Sequence, residues 1–149
     1  MLTDTLRQIF KRDLQKLKIE IEAYKDESNL WAIDRSVTNS AGNLCLHLIG
    51  NLNHFIGAEF GKTGFVRDRP LEFSDKDVPR EILIQKINET IDVVDLSLGK
   101  IPEEKLQEEY PIIVFTEPMS NEYFLIHLAA HLSYHLGQIN YHRGYWIAD

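Results

Sequence analysis

Three histidines stand four residues apart near the C-terminus, His127, His131 and His135, in the run Tyr123-Phe124-Leu125-Ile126-His127-Leu128-Ala129-Ala130-His131-Leu132-Ser133-Tyr134-His135. In a helix, residues i and i+4 share a face, with Cβ atoms about 5–6 Å apart. Two imidazoles at that spacing can close on one transition metal. The rest of the run is largely apolar, so this face is expected to point inward. Buried imidazoles need partners for their ring nitrogens. A shared metal ion would provide them, and so would hydrogen bonds inside an ordinary core.

A second apolar stretch carries histidine as well: Asn43-Leu44-Cys45-Leu46-His47-Leu48-Ile49-Gly50-Asn51-Leu52-Asn53-His54. His47 falls on the stripe of Leu44, Leu48 and Asn51, and His54 lies about two turns further along nearly the same face. Two apolar helices that both carry inward histidines fit a site shared between them. Spacing by itself leaves a metal site and hydrogen-bonded core histidines both open.

Several familiar metal signatures are excluded. No glutamate follows His127 or His131, so the zinc-protease helix with its general base is absent. No Glu-x-x-His occurs in either histidine-bearing segment, which excludes a ferritin-like di-iron centre. The single cysteine, Cys45, rules out cysteine-rich zinc sites and an intrachain disulfide, and it suggests a reducing, cytoplasmic setting. The remaining possibility is an all-histidine site whose other positions are open to water or substrate.

These side chains must be carried by helices. Leu6, Phe10, Leu14, Leu17, Ile21 and Tyr24 recur at steps of three and four and predict a helix from about Thr3 to Lys25. The second begins after the cap-forming Thr38-Asn39-Ser40 and runs to about Phe60, with Gly61 and Gly64 ending it. The third starts near Pro79 and uses Ile82, Ile87, Ile91, Val94 and Leu98, stopping at Gly99 and Pro102. The fourth follows Ser120 and continues to Tyr141 or beyond. Between the last two, Tyr110–Thr116 is β-branched and flanked by prolines, which reads as a short extended segment or loop. Four helices of about twenty residues predict an all-α, single-domain chain over residues 1–149, a four-helix bundle. The connections around residues 26–39, 61–78 and 99–119 are long enough to cross a bundle end.

The pair His131-Leu132-Ser133-Tyr134-His135, followed by Leu136-Gly137-Gln138-Ile139, resembles the C-terminal helix motif of the DinB-like metal-binding superfamily, His-x-x-x-His and then x-Gly-Gln-Ile. The run Asn43–Leu52 resembles the helix-two motif of its uncharacterised branch. The resemblance implies a DinB-like four-helix bundle with a long crossover connection. It also implies one divalent metal ion held by His47, His131 and His135, with zinc or nickel favoured over iron or manganese. His127 corresponds to no ligand of that family, and neither do His54 and His142, which read as ordinary histidines. Asn51 and Gln138, each one turn beyond a ligand, and Tyr134, directly before one, are candidates for contacts to the ligands or to a substrate.

Relatives of this kind include thiol-dependent transferases, in which the metal activates a low-molecular-weight thiol, and hydrolases. The resemblance therefore implies a metal-dependent enzyme acting on a small molecule; the alternative is a non-enzymatic metal-binding bundle, stress-related, with a structural or vestigial site. A thiol bearing carboxylates would need a cation at the pocket mouth, and Arg35, Arg67, Arg69 and Arg143 all qualify by type. No carboxylate stands beside the three ligands in the sequence.

The bulk properties bound the partners. A chain of 149 residues with a net charge of −7 and its basic residues scattered among acids is a poor ligand for nucleic acid. A domain of this size buries roughly 68–70% of its unfolded surface, so it needs no staple to fold. No apolar run reaches the ~20 residues that span a bilayer. The charged N-terminus lacks the apolar core of a signal peptide. The tail Tyr141-His142-Arg143-Gly144-Tyr145-Trp146-Ile147 is aromatic, as interface cores are, and suggests a homodimer.

Overall fold

In the computed structural model, which describes residues 1–146, the chain is all-helical. Helix α1 spans Leu2–Glu22, α2 Ala41–Leu52, α3 Arg69–Ser74, α4 Arg80–Gly99 and α5 Asn121–Tyr145. Short 3-10 turns at Glu27–Trp31 and Glu103–Gln107 sit in the connections. Among the described residues the only strand-like pairings are isolated bridges, Asp34 with Val37 and Glu109 with Ser120. Tyr110–Thr116 is thus a loop, held at its base by the Tyr110 amide donating to the Met119 carbonyl at 2.8 Å.

The caps expected from the sequence form. Ser40 Oγ accepts from the Asn43 amide at 3.1 Å and starts α2; Ser120 Oγ accepts from the Tyr123 amide at 3.1 Å and starts α5. Pro79 is the N-cap of α4 and not its first helical residue. The second helix reaches the expected region near Phe60, but its last part, Asn53–Ala58, is a π turn. That turn leaves the Phe55 carbonyl to the Tyr110 hydroxyl at 2.6 Å, which ties the 110–120 loop to the helix.

The unexpected element is α3, within a stretch read as plain connection. Asp68 Oδ1 accepts from the Leu71 amide at 3.2 Å, and Pro70 occupies the first turn, where a missing N–H costs nothing. Six residues are too few to display helical periodicity.

One hydrophobic core joins all four long helices. From α1 it takes Leu6, Phe10, Leu14, Leu17 and Ile21, from α2 Leu44, Leu48 and Leu52, from α4 Leu83, Ile87, Val94 and Leu98, and from α5 Phe124, Leu125, Leu128, Leu132 and Ile139. Ile82, expected in the core, is exposed, because Leu83 with Ile87, Thr90 and Val94 keeps the three-and-four step and turns Ile82 outward. Packing follows the order α1, α4, α2, α5 and back to α1, so consecutive α1 and α2 lie diagonally opposite. This order brings α2 against α5, the two helices that carry the histidine motifs.

The aromatic tail packs partly inward. His142 Nε2 donates to the Ala32 carbonyl at 2.8 Å, so its Nδ1 must accept the Tyr24 hydroxyl at 2.6 Å. Burial pushes the His142 pKa down and the neutral ring clamps α5 to the end of α1. Ile147 lies outside the described residues. Tyr24→Phe would leave a buried ring nitrogen without its donor. It should cost about 1–3 kcal/mol of stability in a urea unfolding experiment, with no loss of helical signal in the native state.

Candidate metal centre

His47 sits mid-helix in α2 and is nearly fully buried; His131 and His135 are half-buried on the side of α5 that faces it. Their Nε2 atoms converge. His47 Nε2 lies 3.3 Å from His131 Nε2, which lies 3.1 Å from His135 Nε2, and the three donor atoms fall within 4.8 Å of one another.

The opposite ring edges decide what those atoms can do. His47 Nδ1 is 3.0 Å from Glu72 Oε1, which as a carboxylate can only accept. The Nδ1 atom must therefore carry the proton, and Nε2 keeps its lone pair. His135 Nδ1 lies 2.7 Å from Gln138 Oε1, and the Gln138 amide nitrogen donates to the Tyr134 hydroxyl at 3.4 Å. With the amide oriented this way, His135 also directs a lone pair inward. His131 Nε2 faces both and can donate to only one of them. At least one lone pair aimed into the cluster is left without a proton. Tetrahedral zinc at 2.0–2.1 Å from imidazole nitrogen sets its ligands roughly 3.3–3.4 Å apart, close to the 3.3 and 3.1 Å that separate His131 Nε2 from the other two. The donor set fits a divalent cation.

Burial favours the same protonation states. It pushes His131 down to about 4, helped by neighbouring His135 and His47, and it lowers His135 as well. Burial opposes ionisation of Glu72, but hydrogen bonds from His47 and Arg67 outweigh it and hold the carboxyl below its ordinary pKa. Arg67 grips both Glu72 oxygens, Nε to Oε2 at 2.8 Å and Nη2 to Oε1 at 3.0 Å.

Glu72 and its grip on His47 were not legible in the sequence, where no carboxylate stood near a ligand. It arrives on α3. Asn43, at the start of α2, holds α3 in place by donating to the carbonyls of Glu72 at 3.0 Å and Asp75 at 2.8 Å. Gly50 leaves the room: a Cβ there would collide with the Glu72 carboxylate. The sequence signal, in hindsight, is the Asp68-Arg69-Pro70 helix start two residues before Glu72.

The other candidates separate. Gln138 contacts a ligand and also lines a cavity of about 270 Å³ with Ser36, Thr38, Leu44 and Tyr141. Tyr134 stands edge-on to His135, its ring centroid 5.2 Å away, and is mostly exposed. Asn51 is buried with Oδ1 unpaired, and His131 Nδ1 is a buried atom without a partner too; the two are complementary in type, an acceptor and a potential donor. His127 is not in the cluster. It lies between Phe124, stacked at 5.9 Å, and Phe115, edge-on at 5.0 Å. His54 packs on Phe55. Of the four arginines, Arg67 is the one at the centre; Arg69 lies over Phe73 and Arg143 pairs with Glu20.

Residues 2–144 match the model of a family described as "Protein of unknown function (DUF1572)", and the chain belongs to that family. No curated protein matches it. No helix is long and apolar enough to cross a membrane among the described residues.

The lowered histidines set the acid response of the metal-free protein. A histidine whose pKa falls on folding takes up its proton more readily in the unfolded chain, so stability rises with pH between the two values. Stability should therefore be lost as pH drops from about 6.5, the ordinary value, towards 4, where His131 titrates. Unfolding midpoints of chelated protein across that range test it, and a midpoint flat between pH 7 and 4.5 would contradict it.

Proposed function

We propose that the chain is a divalent-metal protein of the DinB-like four-helix-bundle type with a long crossover. His47, His131 and His135 hold one ion, zinc or nickel before iron or manganese, and present it to a small-molecule substrate. The observation that carries this reading is the convergence of three Nε2 atoms whose outer nitrogens, on His47 and His135, are committed as donors to Glu72 and Gln138. With those two tautomers, no placement of a proton on His131 satisfies all three inward atoms.

These three histidines would hold an ion that could supply Lewis-acid chemistry to a water or a thiol. The protein residues supply the rest. Glu72 fixes the His47 tautomer and ring orientation. Arg67 neutralises Glu72, so the carboxylate adds little net negative charge to the site. Three neutral imidazoles would leave the charge of such a cation uncompensated, so the site would suit an anionic substrate group. Gln138 holds His135 and lines the adjoining cavity, and its amide nitrogen donates to the Tyr134 hydroxyl at 3.4 Å.

An enzyme acting on a small electrophile with a low-molecular-weight thiol, or a hydrolase, is favoured over a structural site. The hydrophobic core is continuous through all four long helices. A zinc finger, whose folding energy comes from the ion, has no such core.

Purified protein should contain one metal equivalent by elemental analysis, and His131→Ala should contain none. His127→Ala should keep full occupancy; the reverse pattern would place the ligands one turn away. Glu72→Gln should retain the metal with affinity reduced about 10–100-fold, as with other lost partners of ligating histidines.

Chelation separates enzyme from staple. Circular dichroism should remain helical after metal removal, while conjugation of a low-molecular-weight thiol to a common electrophile, or hydrolysis of an activated ester, should be lost. Collapse of the helical signal would make the site structural.

A further inference from the structure

Helix α5 buries Phe124, Leu125, Leu128, Leu132 and Ile139 on one side. Its other side exposes Tyr123, Ile126, Ala130, Ser133, Tyr134, Gly137, Tyr141 and Gly144. From Tyr123 to His142 the helix has no Asp, Glu, Lys or Arg, although 26% of the chain is charged. A solvated helix face ordinarily carries charged residues, and this one carries none over that span.

We propose that a second copy of this chain covers that outer face, α5 packing antiparallel on its counterpart about a two-fold axis between Ser133 and Tyr134. The spacing of the exposed residues fits a helix partner. Positions 123, 126, 130, 133, 137, 141 and 144 advance by threes and fours that average 3.5 residues, the period of a helix–helix seam.

Side-chain size fits the orientation. About that axis Tyr123 of one copy meets Gly144 of the other, Tyr134 meets Ser133, Ala130 meets Gly137, and Ile126 meets Tyr141. A parallel pairing would set tyrosine on tyrosine and glycine on glycine. Charge fits a second copy as well. Two chains of net charge −7 repel each other, and this uncharged face lets them meet without like-charge contacts.

The area is adequate. Tyr123, Tyr134, Tyr141 and Tyr145 are 56% to 83% exposed. Aromatic side chains of about 150–250 Å² then offer on the order of 500 Å² per copy before Ile126 is added, more than half of the ~800 Å² per partner of stable interfaces. Tyr134 borders His135, so the second copy would form a wall on the exposed side of the histidine cluster. The association itself does not depend on the metal reading.

Sedimentation of the full-length chain at tens of micromolar, with and without added zinc, should show a species of twice 17.3 kDa. A Cβ at Gly137 meets nothing within 4 Å, so Gly137→Glu leaves the single chain undisturbed and should sediment as the 17.3 kDa monomer with an unchanged circular dichroism spectrum. Tyr141→Glu should do the same. Ile19→Glu, on the exposed side of α1, should remain dimeric. A wild-type monomer overturns the proposal, as does a dimer that survives both α5 substitutions.

Discussion

A carboxylate cannot donate a hydrogen bond, and from that the arrangement of the histidine cluster follows. Because Glu72 Oε1 takes His47 Nδ1 at 3.0 Å, the proton of that imidazole is fixed on its outer edge and its lone pair is sent inward. A neutral acceptor such as a hydroxyl would leave the tautomer free. Much of the surrounding structure keeps this one contact in place. Arg67 offsets the cost of burying the charge by binding both oxygens. Asn43 pins α3 through two carbonyls, and Gly50 gives up its side chain so that the carboxylate can lie against α2.

The same logic extends to α5. Gln138 holds His135 as Glu72 holds His47, one turn along the helix instead of across the fold. His131 lies between the two and has no such support. Its Nδ1 is a buried atom without a partner, and burial and its neighbours push this histidine down to about 4. A cluster with two held rings and one held only through the others is suited to receiving a cation, because the ion itself completes the third ring's environment.

The order of packing matters as much as the contacts. Consecutive α1 and α2 sit diagonally, which frees α2 to lie against both α4 and α5. Had α2 packed beside α1 as in a simple up-down arrangement, His47 would have needed another route to the α5 pair. The π turn at Asn53–Ala58 then swings the end of α2 so that Phe55 lies under the Arg67 guanidinium, 5.7 Å from its centroid, and offers a carbonyl to Tyr110. The 110–120 loop and the Arg67 segment are thereby both anchored to one turn of helix.

Much of this was legible in the chain. The stripes of α1, α2 and α5, the serine caps and the histidine spacing follow from local periodicity and capping, which depend on residues within one or two turns. Spacing placed histidines on two apolar helices but did not separate His127 from His131 and His135; the set His47, His131 and His135 was what the DinB-like resemblance implied. Ile82 was misplaced because α4 offers two neighbouring apolar positions, and only packing against α1 and α2 selects Leu83. Glu72 could not be named at all. It is 25 residues from His47 and 59 from His131, in a helix too short to carry a periodic signal, and nothing local distinguishes it from the other acidic residues. Local sequence determined the helices and which imidazoles each one carries. Only the tertiary structure decided which carboxylate meets His47 and which edge of each ring faces inward, because proton placement depends on partners that the fold brings together from distant parts of the chain.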